Sequence, residues 1–274
     1  MSLPNFLCIG AQKAGTTLLF DILKRHPDVY LPETKEPHFF DRDDEYLKGT
    51  DWYEDHYFRG ANSFSRIGEI TPSYLFFEAT PERLYKVLGP DLKLIILLRH
   101  PVDRALSHYF MQYERGIERL SFMEAMSMEA VRTKHGQTEK ARFSYISRGF
   151  FADQIKRYLK FFSIGNMKIL FFEDFVGDIP GTIRNILQFL DVNPDRLPDD
   201  GPPGKINVGG LSIGRYLKAM ALNRPYVAVD ISWRKARRYP VLKARYRRLI
   251  MESYREDIES LQSLTGKDLS GWLI

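Results

Sequence analysis

A glycine-containing stretch near the N-terminus, Gly10-Ala-Gln-Lys-Ala-Gly-Thr-Thr17, constrains the fold of this 274-residue chain more than any other feature. An apolar run at residues 6–9 precedes it and has the length of a buried strand. Apolar residues at helical spacing follow it until His26-Pro27 ends the pattern. The stretch therefore predicts a strand, a loop and a helix, with a helix N-terminus able to bind a phosphate or sulfate.

The position of the lysine distinguishes this loop from that of the nucleotide triphosphatases. Their loop reads G-x-x-x-x-G-K-[ST], with the lysine directly after the second glycine. Here Thr16 holds that place, and the lysine comes three residues earlier. We expect an anion site that does not bind the β- and γ-phosphates of ATP, formed by Lys13, Ala14, Gly15, Thr16 and Thr17. The alternative is a purely structural turn between strand and helix.

Apolar runs alternate with helical patterns along the chain. The predicted strands are residues 6–9, 66–70, 92–98 and 167–172. Such alternation predicts an α/β fold, a P-loop-like parallel β-sheet flanked by helices on both faces, in one domain over residues 1–274. Two stretches, 27–65 and 134–147, lack clear periodicity and are predicted to be loops, the first ordered by its dense aromatic residues.

Ligands of parallel sheets bind beyond the carboxyl ends of the strands. This places Lys13, residues 69–73, Arg99 and Glu173 on one edge of the predicted sheet. Arg99 ends the strongest strand, and Ser107 lies on the following helix. An arginine fork and a hydroxyl can bind a second phosphate, although Arg99 could instead pair with a carboxylate.

The residue that follows this strand, Arg99, is evidence against a metal-ion site. Phosphoryl-transfer P-loop enzymes usually have an aspartate for Mg²⁺ at this point, where this chain has Arg99. No Cys/His cluster has metal-ligand spacing either. We therefore expect a metal-independent reaction on an anion.

A candidate acid–base group lies in Lys35-Glu-Pro-His-Phe-Phe-Asp41. If this segment is extended, Glu36 and His38 point to the same side. A carboxylate beside an imidazole can act as a general base with an orienting partner. An ordinary surface loop is the alternative.

Charge, cysteine content and hydropathy limit the partners. The net charge is +5, and basic clusters lie at residues 234–238 and 243–248. No nucleic-acid-binding motif accompanies these clusters. We therefore expect a solvated basic helix face and do not expect a nucleic-acid partner. Cys8 is the single cysteine and lies inside the first strand, which predicts a packed thiol. No stretch approaches the ~18 apolar residues of a membrane span, and no signal pattern is present, so a cytoplasmic location is expected.

These motifs together resemble sulfotransferases that use 3′-phosphoadenosine-5′-phosphosulfate (PAPS). Residues 12–17 resemble the 5′-phosphosulfate loop, and residues 98–109 resemble the 3′-phosphate motif, with Arg99 and Ser107 at the binding positions. Residues 35–41 resemble the catalytic segment of the heparan sulfate branch, meaning the 3-O-sulfotransferases and the N-sulfotransferase domain. The similarity extends over nearly the whole chain through residues 48–53, 69–74 and 253–272.

The resemblance implies PAPS as co-substrate and 3′-phosphoadenosine-5′-phosphate (PAP) as product. Lys13 would offset charge on the leaving group, Glu36 would be the base, His38 would orient or share that role, and Asp41 would support the loop. The expected acceptor is a hydroxyl or amine, in a carbohydrate or other small molecule. Aromatic residues around Trp52 and Tyr74 could stack on a sugar or could equally line an acyl-chain or phenol pocket.

Other functions stay open at this point. The acceptor could be a hydroxylated lipid or a carrier-bound acyl chain. Other classes are a P-loop nucleotide kinase and a non-catalytic PAP-binding module. The heparan enzymes commonly have a lysine where this chain has Ile70, a disulfide-bounded loop before the final helix, and a Golgi anchor. This chain lacks these features, which favours a stand-alone, bacterial-type member.

Overall fold

A computed structural model describes residues 2–198, 231–233 and 240–273. The chain divides into two compact units: Met1–Arg99 with Asp153–Asn207, and His100–Ala152 with Val208–Ile274. The organisation of residues 1–274 as one sulfotransferase domain stays a prediction.

A parallel sheet forms the centre of the first unit. Its strands are β1 Phe6–Gly10, β2 Val29–Tyr30, β3 Arg66–Ile70, β4 Lys93–Leu98 and β5 Met167–Phe171. They lie in the order β2-β3-β1-β4-β5, and every pairing is parallel. All of β1 is buried, which explains why it is apolar throughout and does not alternate with polar residues. The predicted α/β fold with a parallel sheet flanked by helices is confirmed.

The α-helices follow the strands in the expected order. Within the described residues they are α1 Thr16–Leu23, α2 Asp43–Tyr46, α3 Thr50–Tyr57, α4 Thr80–Leu88, α5 Pro101–Glu114, α6 Phe122–Ser127, α7 Glu129–Arg132, α8 Gln137–Phe143, α9 Phe151–Tyr158, α10 Phe172–Gly177, α11 Ile179–Phe189 and α12 Ala244–Thr265. The helical pattern that follows the Lys13 loop and ends before His26-Pro27 corresponds to α1. A capping box between Ser121 and Glu124 begins α6.

Two stretches predicted to be loops are partly helical. Residues 27–65 contain β2, α2 and α3, and residues 134–147 contain α8. In α8 no residue is buried, so no apolar stripe could reveal it in the sequence. The helices α2 and α3 have only four and eight residues, and such short helices depend on packing against the rest of the fold.

The second unit contains the C-terminal helix and a two-stranded antiparallel ribbon. Its strands are β6 Ile231–Trp233 and β7 Pro240–Leu242. Helix α12 ends at Gly266, which has a left-handed φ of 68°. Trp272 is buried near the rings of His100 and Phe151, so it anchors the C-terminal tail. The Pro-, Gly- and Asp-rich composition of residues 193–210 predicts a loop, and most of it lies outside the described residues. The basic cluster at residues 234–238 lies outside them as well.

Burial and hydropathy bear on three further expectations. Cys8 is fully buried, and burial raises the pKa of its thiol to about 12, so it is packed and unreactive. Among the helices described, none combines the length and the apolar character that crossing a membrane requires. The described side chains also include no grouping of three or more His, Cys, Asp or Glu residues suited to a metal ion.

Candidate active site

The carboxyl ends of the parallel strands bring the predicted functional segments to one edge of the sheet. The loop with Lys13 follows β1, and the segment with Glu36 follows β2. Glu69 lies at the end of β3, Arg99 follows β4, and Glu173 lies in α10 directly after β5. The shared edge predicted from the sequence is confirmed, because these strands all run in the same direction.

The loop between β1 and α1 is closely packed where it carries glycine. A Cβ atom on Gly10 would lie 2.6 Å from the Cβ atom of Leu75, so a larger residue cannot fit there. Gly15 caps α1 with a left-handed φ of 95°, and no side chain caps the helix N-terminus. A helix N-terminus of this kind suits an anion. Thr16 is buried and Thr17 is exposed, so the two hydroxyls differ in access.

Arg99 is tied to this loop and stacked on an aromatic ring. Its Nη1 donates a hydrogen bond of 3.1 Å to the carbonyl oxygen of Lys13. Its guanidinium also lies 4.8 Å from the ring centroid of Phe172. These contacts fix the direction of the planar fork beside the predicted nucleotide loop.

Ser107 belongs to a different compact unit from Arg99. It lies on α5, which begins two residues after Arg99 in the chain, and its side chain is half-buried. The shared role of Arg99 and Ser107 at a 3′-phosphate therefore stays a prediction.

The segment after β2 forms a chain of ionisable side chains. The Nζ atom of Lys35 forms an ion pair with Oε1 of Glu36. The other oxygen, Oε2, lies 3.7 Å from Nε2 of His38, and Nδ1 of His38 lies 3.0 Å from Oδ2 of Asp41. Asp41 is buried and accepts the hydrogen bond from Nδ1–H, which leaves Nε2 directed at Glu36. The structure therefore brings Glu36 and His38 together, as the sequence predicts.

The sequence does not predict the backbone conformation that brings these two side chains together. The two side chains would share a side if the segment were extended, but Glu36 and His38 have left-handed φ angles of 62° and 58°. Lys13 also has one, at 72°. Residues other than glycine rarely adopt this conformation, which costs roughly 1–3 kcal/mol and persists mainly at functional sites. The three proposed catalytic residues all share it.

Aromatic packing beneath the segment holds this conformation. The rings of Phe39 and Tyr53 stack with centroids 4.2 Å apart, and the ring of Phe40 lies 5.3 Å from that of Tyr53. The backbone N–H of Phe40 donates to the hydroxyl of Tyr74 at 3.3 Å, and the Phe40 carbonyl accepts a 3.2 Å hydrogen bond from Arg83. These contacts offset the strain in the residues on either side of Pro37.

Glu69 is a fully buried carboxyl group below the same segment. Burial raises its pKa to about 8, an effect that the hydroxyls of Tyr74 and Tyr53 oppose and the charge of Asp41 increases. At neutral pH this carboxyl is protonated. The sequence indicated its place at the strand end but not its burial, because burial depends on the aromatic residues packed over it.

Trp52 and Tyr74 mark the region expected to contact an acceptor, and both side chains pack against other residues of the fold. Tyr74 is fully buried, and its carbonyl accepts a 2.7 Å hydrogen bond from the hydroxyl of Tyr158. Trp52 stacks on the ring of His56, with centroids 4.6 Å apart, and the ammonium of Lys48 lies 4.2 Å from its centroid. The Tyr74 side chain is therefore too deeply buried to contact an acceptor, and the expectation of an aromatic acceptor pocket in this region stays a prediction.

Comparison of the sequence with known protein families shows which family this chain belongs to. Residues 3–200 match the sulfotransferase domain. The chain belongs to the sulfotransferase family. The match contains every predicted site residue from Lys13 to Ser107, and the predicted enzyme class and the PAPS donor agree with membership of this family.

Curated sulfotransferases of known specificity are similar over most of the chain. Mouse heparan sulfate glucosamine 3-O-sulfotransferase 3B1 is 30% identical over 270 residues, and its human counterpart is 29% identical over the same length. Each match covers 98% of this chain but 65% of the relative, so the chain spans slightly less than two thirds of the length of these enzymes.

A solved bacterial structure matches the sulfotransferase fold over almost its full length. The crystal structure of a sulfotransferase from Alicyclobacillus acidocaldarius has a TM-score of 0.76 and 29% sequence identity. The superposition covers 99% of each chain.

Proposed function

We propose that this protein transfers the sulfuryl group of PAPS to a hydroxyl or amine of a carbohydrate. The observation that carries this proposal is the chain of contacts from Glu36 through His38 to Asp41, placed at the sheet edge that also carries the Lys13 loop. A base oriented by an imidazole and a buried carboxylate suits removal of a proton from an acceptor.

The nucleotide part of the site is assigned to the loop and to Arg99. Lys13 and the first-turn amides of α1 bind the 5′-phosphosulfate, with Thr16 and Thr17 supplying hydroxyls. Lys13 offsets the charge that develops on the bridging oxygen as PAP leaves. Arg99 and Ser107 bind the 3′-phosphate, which distinguishes PAPS from ATP.

The chemical step is an in-line transfer. The acceptor oxygen or nitrogen forms a bond to sulfur while the bond between sulfur and the bridging oxygen breaks, and PAP keeps that electron pair. Glu36 takes the acceptor proton, and His38, held by Asp41, orients or shares that role. Since Arg99 stands where related phosphoryl-transfer enzymes usually have a metal-binding aspartate, we propose that the transfer needs no metal ion.

The acceptor is proposed from the similarity to the heparan sulfate 3-O-sulfotransferases. Their acceptor is the glucosamine of a glycan, as their names state, and a sugar hydroxyl or amine is the chemistry that Glu36 could activate. A cytoplasmic location is proposed on the composition of the chain alone.

Calorimetry followed by transfer assays tests this function. We expect the protein to bind PAP and not ATP, and to move labelled sulfate from PAPS to a glycan in the presence of EDTA. A panel containing a glycan, a hydroxylated acyl chain and a phenol identifies the acceptor class. Preference for ATP with Mg²⁺ would point to a nucleotide kinase, and PAP binding without transfer to any acceptor would point to a binding module.

The role of Glu36 is tested by Glu36→Gln. We expect kcat to fall by ~10²–10⁴ because the base is lost, while PAP affinity stays unchanged. Glu33→Gln is the matched control, since Glu33 lies three residues earlier and is 91% exposed. Full activity in a folded Glu36→Gln protein would remove Glu36 from this role, and His38→Ala would then be tested as the base.

A further inference from the structure

Arg83, a partly buried residue of α4, contacts the backbone of the segment that carries Glu36 and His38. Its side chain is 19% exposed. Its Nη1 donates a hydrogen bond of 3.2 Å to the carbonyl oxygen of Phe40. Thr80, three residues earlier on the same helix, is fully buried, and its hydroxyl donates to the same oxygen at 3.4 Å. Two donors on one side of α4 therefore hold this carbonyl.

The other contacts of Arg83 are with α2, the short helix that begins two residues after Asp41. Its Nη2 forms an ion pair with Oδ1 of Asp43, and its guanidinium carbon lies 4.5 Å from the ring centroid of Tyr46. A planar guanidinium presents its donors in a fixed fork. These two contacts therefore also fix the direction of the donor that faces the Phe40 carbonyl.

The N–H group of Phe40 has a partner of its own. It donates to the hydroxyl of Tyr74, 3.3 Å away, and the two rings lie edge to face with centroids 5.7 Å apart. Both side chains are fully buried. The two backbone polar groups of Phe40 are thus both hydrogen-bonded, and the peptide groups on either side of its Cα atom have fixed orientations.

The second of these peptide groups determines where the side chain of Asp41 begins. The carbonyl group of Phe40 lies in one plane with the N and Cα atoms of Asp41, because the peptide bond does not rotate freely. The carboxylate of Asp41 lies 3.0 Å from Nδ1 of His38, and Nε2 of that ring lies 3.7 Å from Oε2 of Glu36. A continuous series of contacts therefore leads from Arg83 to the proposed base.

We propose that Arg83 is a positioning residue for sulfotransfer, which fixes the peptide before Asp41 and so orients His38 beside Glu36. This inference rests on the roles proposed for Glu36 and His38. Arg83 takes no part in the proton transfer itself, since its contacts are with the Phe40 carbonyl and α2. Its effect on the rate comes from geometry, because a displacement of about 1 Å in a reacting group can lower a rate by about 10²-fold.

The first test separates the chemical step from nucleotide binding. For Arg83→Ala we expect kcat to fall about tenfold, because His38 is less well oriented, while the affinity for PAP stays unchanged in calorimetry. Lys86→Ala is the matched control, because Lys86 lies on the same helix and pairs with Glu82 on the exposed surface. It should change neither quantity. Normal kcat in Arg83→Ala, or a loss of PAP affinity as large as the loss of kcat, would overturn the assignment.

Two further variants separate the hydrogen bond to Phe40 from the ion pair with α2. Asp43→Asn removes the charged partner of Arg83 but leaves the hydrogen bond to the carbonyl, so we expect kcat near that of the wild-type protein. Asp43 is 70% exposed, so this variant should fold. A loss as large as that in Arg83→Ala would contradict a role through the peptide. Arg83→Lys keeps a charged donor on α4 and should lose less activity than Arg83→Ala.

A double-mutant cycle tests the route through Asp41. Arg83→Ala should cause little further loss of kcat in an Asp41→Asn protein, because the carboxylate that Arg83 positions is already absent. A residue that only stabilised the fold would not show this dependence. Additive losses would show that Arg83 affects the reaction by another route and would overturn the proposal.

NMR of the His38 imidazole tests the positioning without an acceptor. The ring nitrogen signals, identified by their absence from His38→Gln, should shift in Arg83→Ala and stay unchanged in Lys86→Ala. Unchanged signals in a folded Arg83→Ala protein would overturn the assignment. Failure of the proposed function is a separate result: the wild-type protein would transfer sulfate to no acceptor, while the His38 signals would still respond to Arg83→Ala.

Discussion

Nδ1 of His38 lies 3.0 Å from Oδ2 of Asp41, a carboxylate that is 2% exposed. This hydrogen bond fixes the ring orientation that places Nε2 3.7 Å from Oε2 of Glu36. A group that acts through His38 should affect the chemical step and not nucleotide binding.

We expect Asp41→Asn to lower kcat about tenfold, less than the ~10²–10⁴ expected for loss of the base, because Glu36 is retained. The losses in Asp41→Asn and His38→Ala should not add in the double variant, since both interrupt one set of contacts. Steady-state kinetics with calorimetry for PAP provides the measurement. The exposed Asp44 supplies the control, Asp44→Asn. Additive losses would show that Asp41 acts independently of His38.

Arg99 offers a test of nucleotide specificity. Arg99→Ala should weaken PAP binding by about 10- to 100-fold, the effect of a lost charged hydrogen bond, but should barely change binding of AMP, which has no 3′-phosphate. Arg59→Ala is the control, because Arg59 pairs with Asp55 on the exposed surface. Equal losses of affinity for PAP and AMP would mean that Arg99 stabilises the loop through its hydrogen bond to the Lys13 carbonyl and does not bind the 3′-phosphate.

Burial of Glu69 predicts a loss of stability as pH rises. Its pKa is about 8 in the folded protein, against 4.5 when exposed, so the unfolded chain loses this proton first. The stabilising contribution is complete below pH 4.5 and is lost as pH rises to about 8, at roughly 1.4 kcal/mol of unfolding free energy per pH unit.

The variant Glu69→Gln keeps a neutral group of similar shape and should remove this dependence. Chemical denaturation of both proteins between pH 5 and 9 measures the difference. We expect the variant to gain stability relative to the wild-type protein as pH rises. Parallel pH profiles would contradict a buried, protonated Glu69.

Burial of His100, in the second unit, predicts a loss of stability as pH falls. Burial lowers the pKa of its imidazole from 6.5 to about 4, and the charge of Arg247 lowers it further while Asp103 raises it. The neutral Nε2 accepts a 2.9 Å hydrogen bond from Arg247. The stabilising contribution is therefore present above pH 6.5 and is lost as pH falls to about 4, at roughly 1.4 kcal/mol per pH unit.

Acid denaturation of His100→Gln provides the measurement. The variant should lose less stability than the wild-type protein between pH 6.5 and 4, because glutamine binds no proton. His135→Gln is the control, since His135 is exposed. A steeper acid loss in His100→Gln would contradict a buried neutral imidazole.

Strong local patterns made much of the fold predictable. Strand β1 is apolar throughout, and β4 is apolar after Lys93. The Lys13 loop stands between a buried strand and a helix, so the positions of these elements follow from burial. The short helices α2 and α3 could not be predicted, because tertiary packing of side chains such as Tyr53 stabilises them.

The candidate site was predictable by residue type but not by conformation. Glu36 and His38 stand in a motif that places a carboxylate near an imidazole. Their left-handed φ angles depend on the rings of Phe39 and Phe40 packed below, which no local pattern reveals. The ion pair of Lys35 with Glu36 depends on the same backbone turn and was missed for that reason.

The left-handed backbone of Glu36 also implies a trade-off between stability and activity. Glycine adopts this conformation without steric cost, so Glu36→Gly would relax the backbone while removing the proposed base. Selection for thermal stability alone would therefore favour inactive proteins at this position. Engineering of a more robust sulfotransferase should leave the segment from Lys35 to Asp41 unchanged and seek its gains elsewhere in the chain.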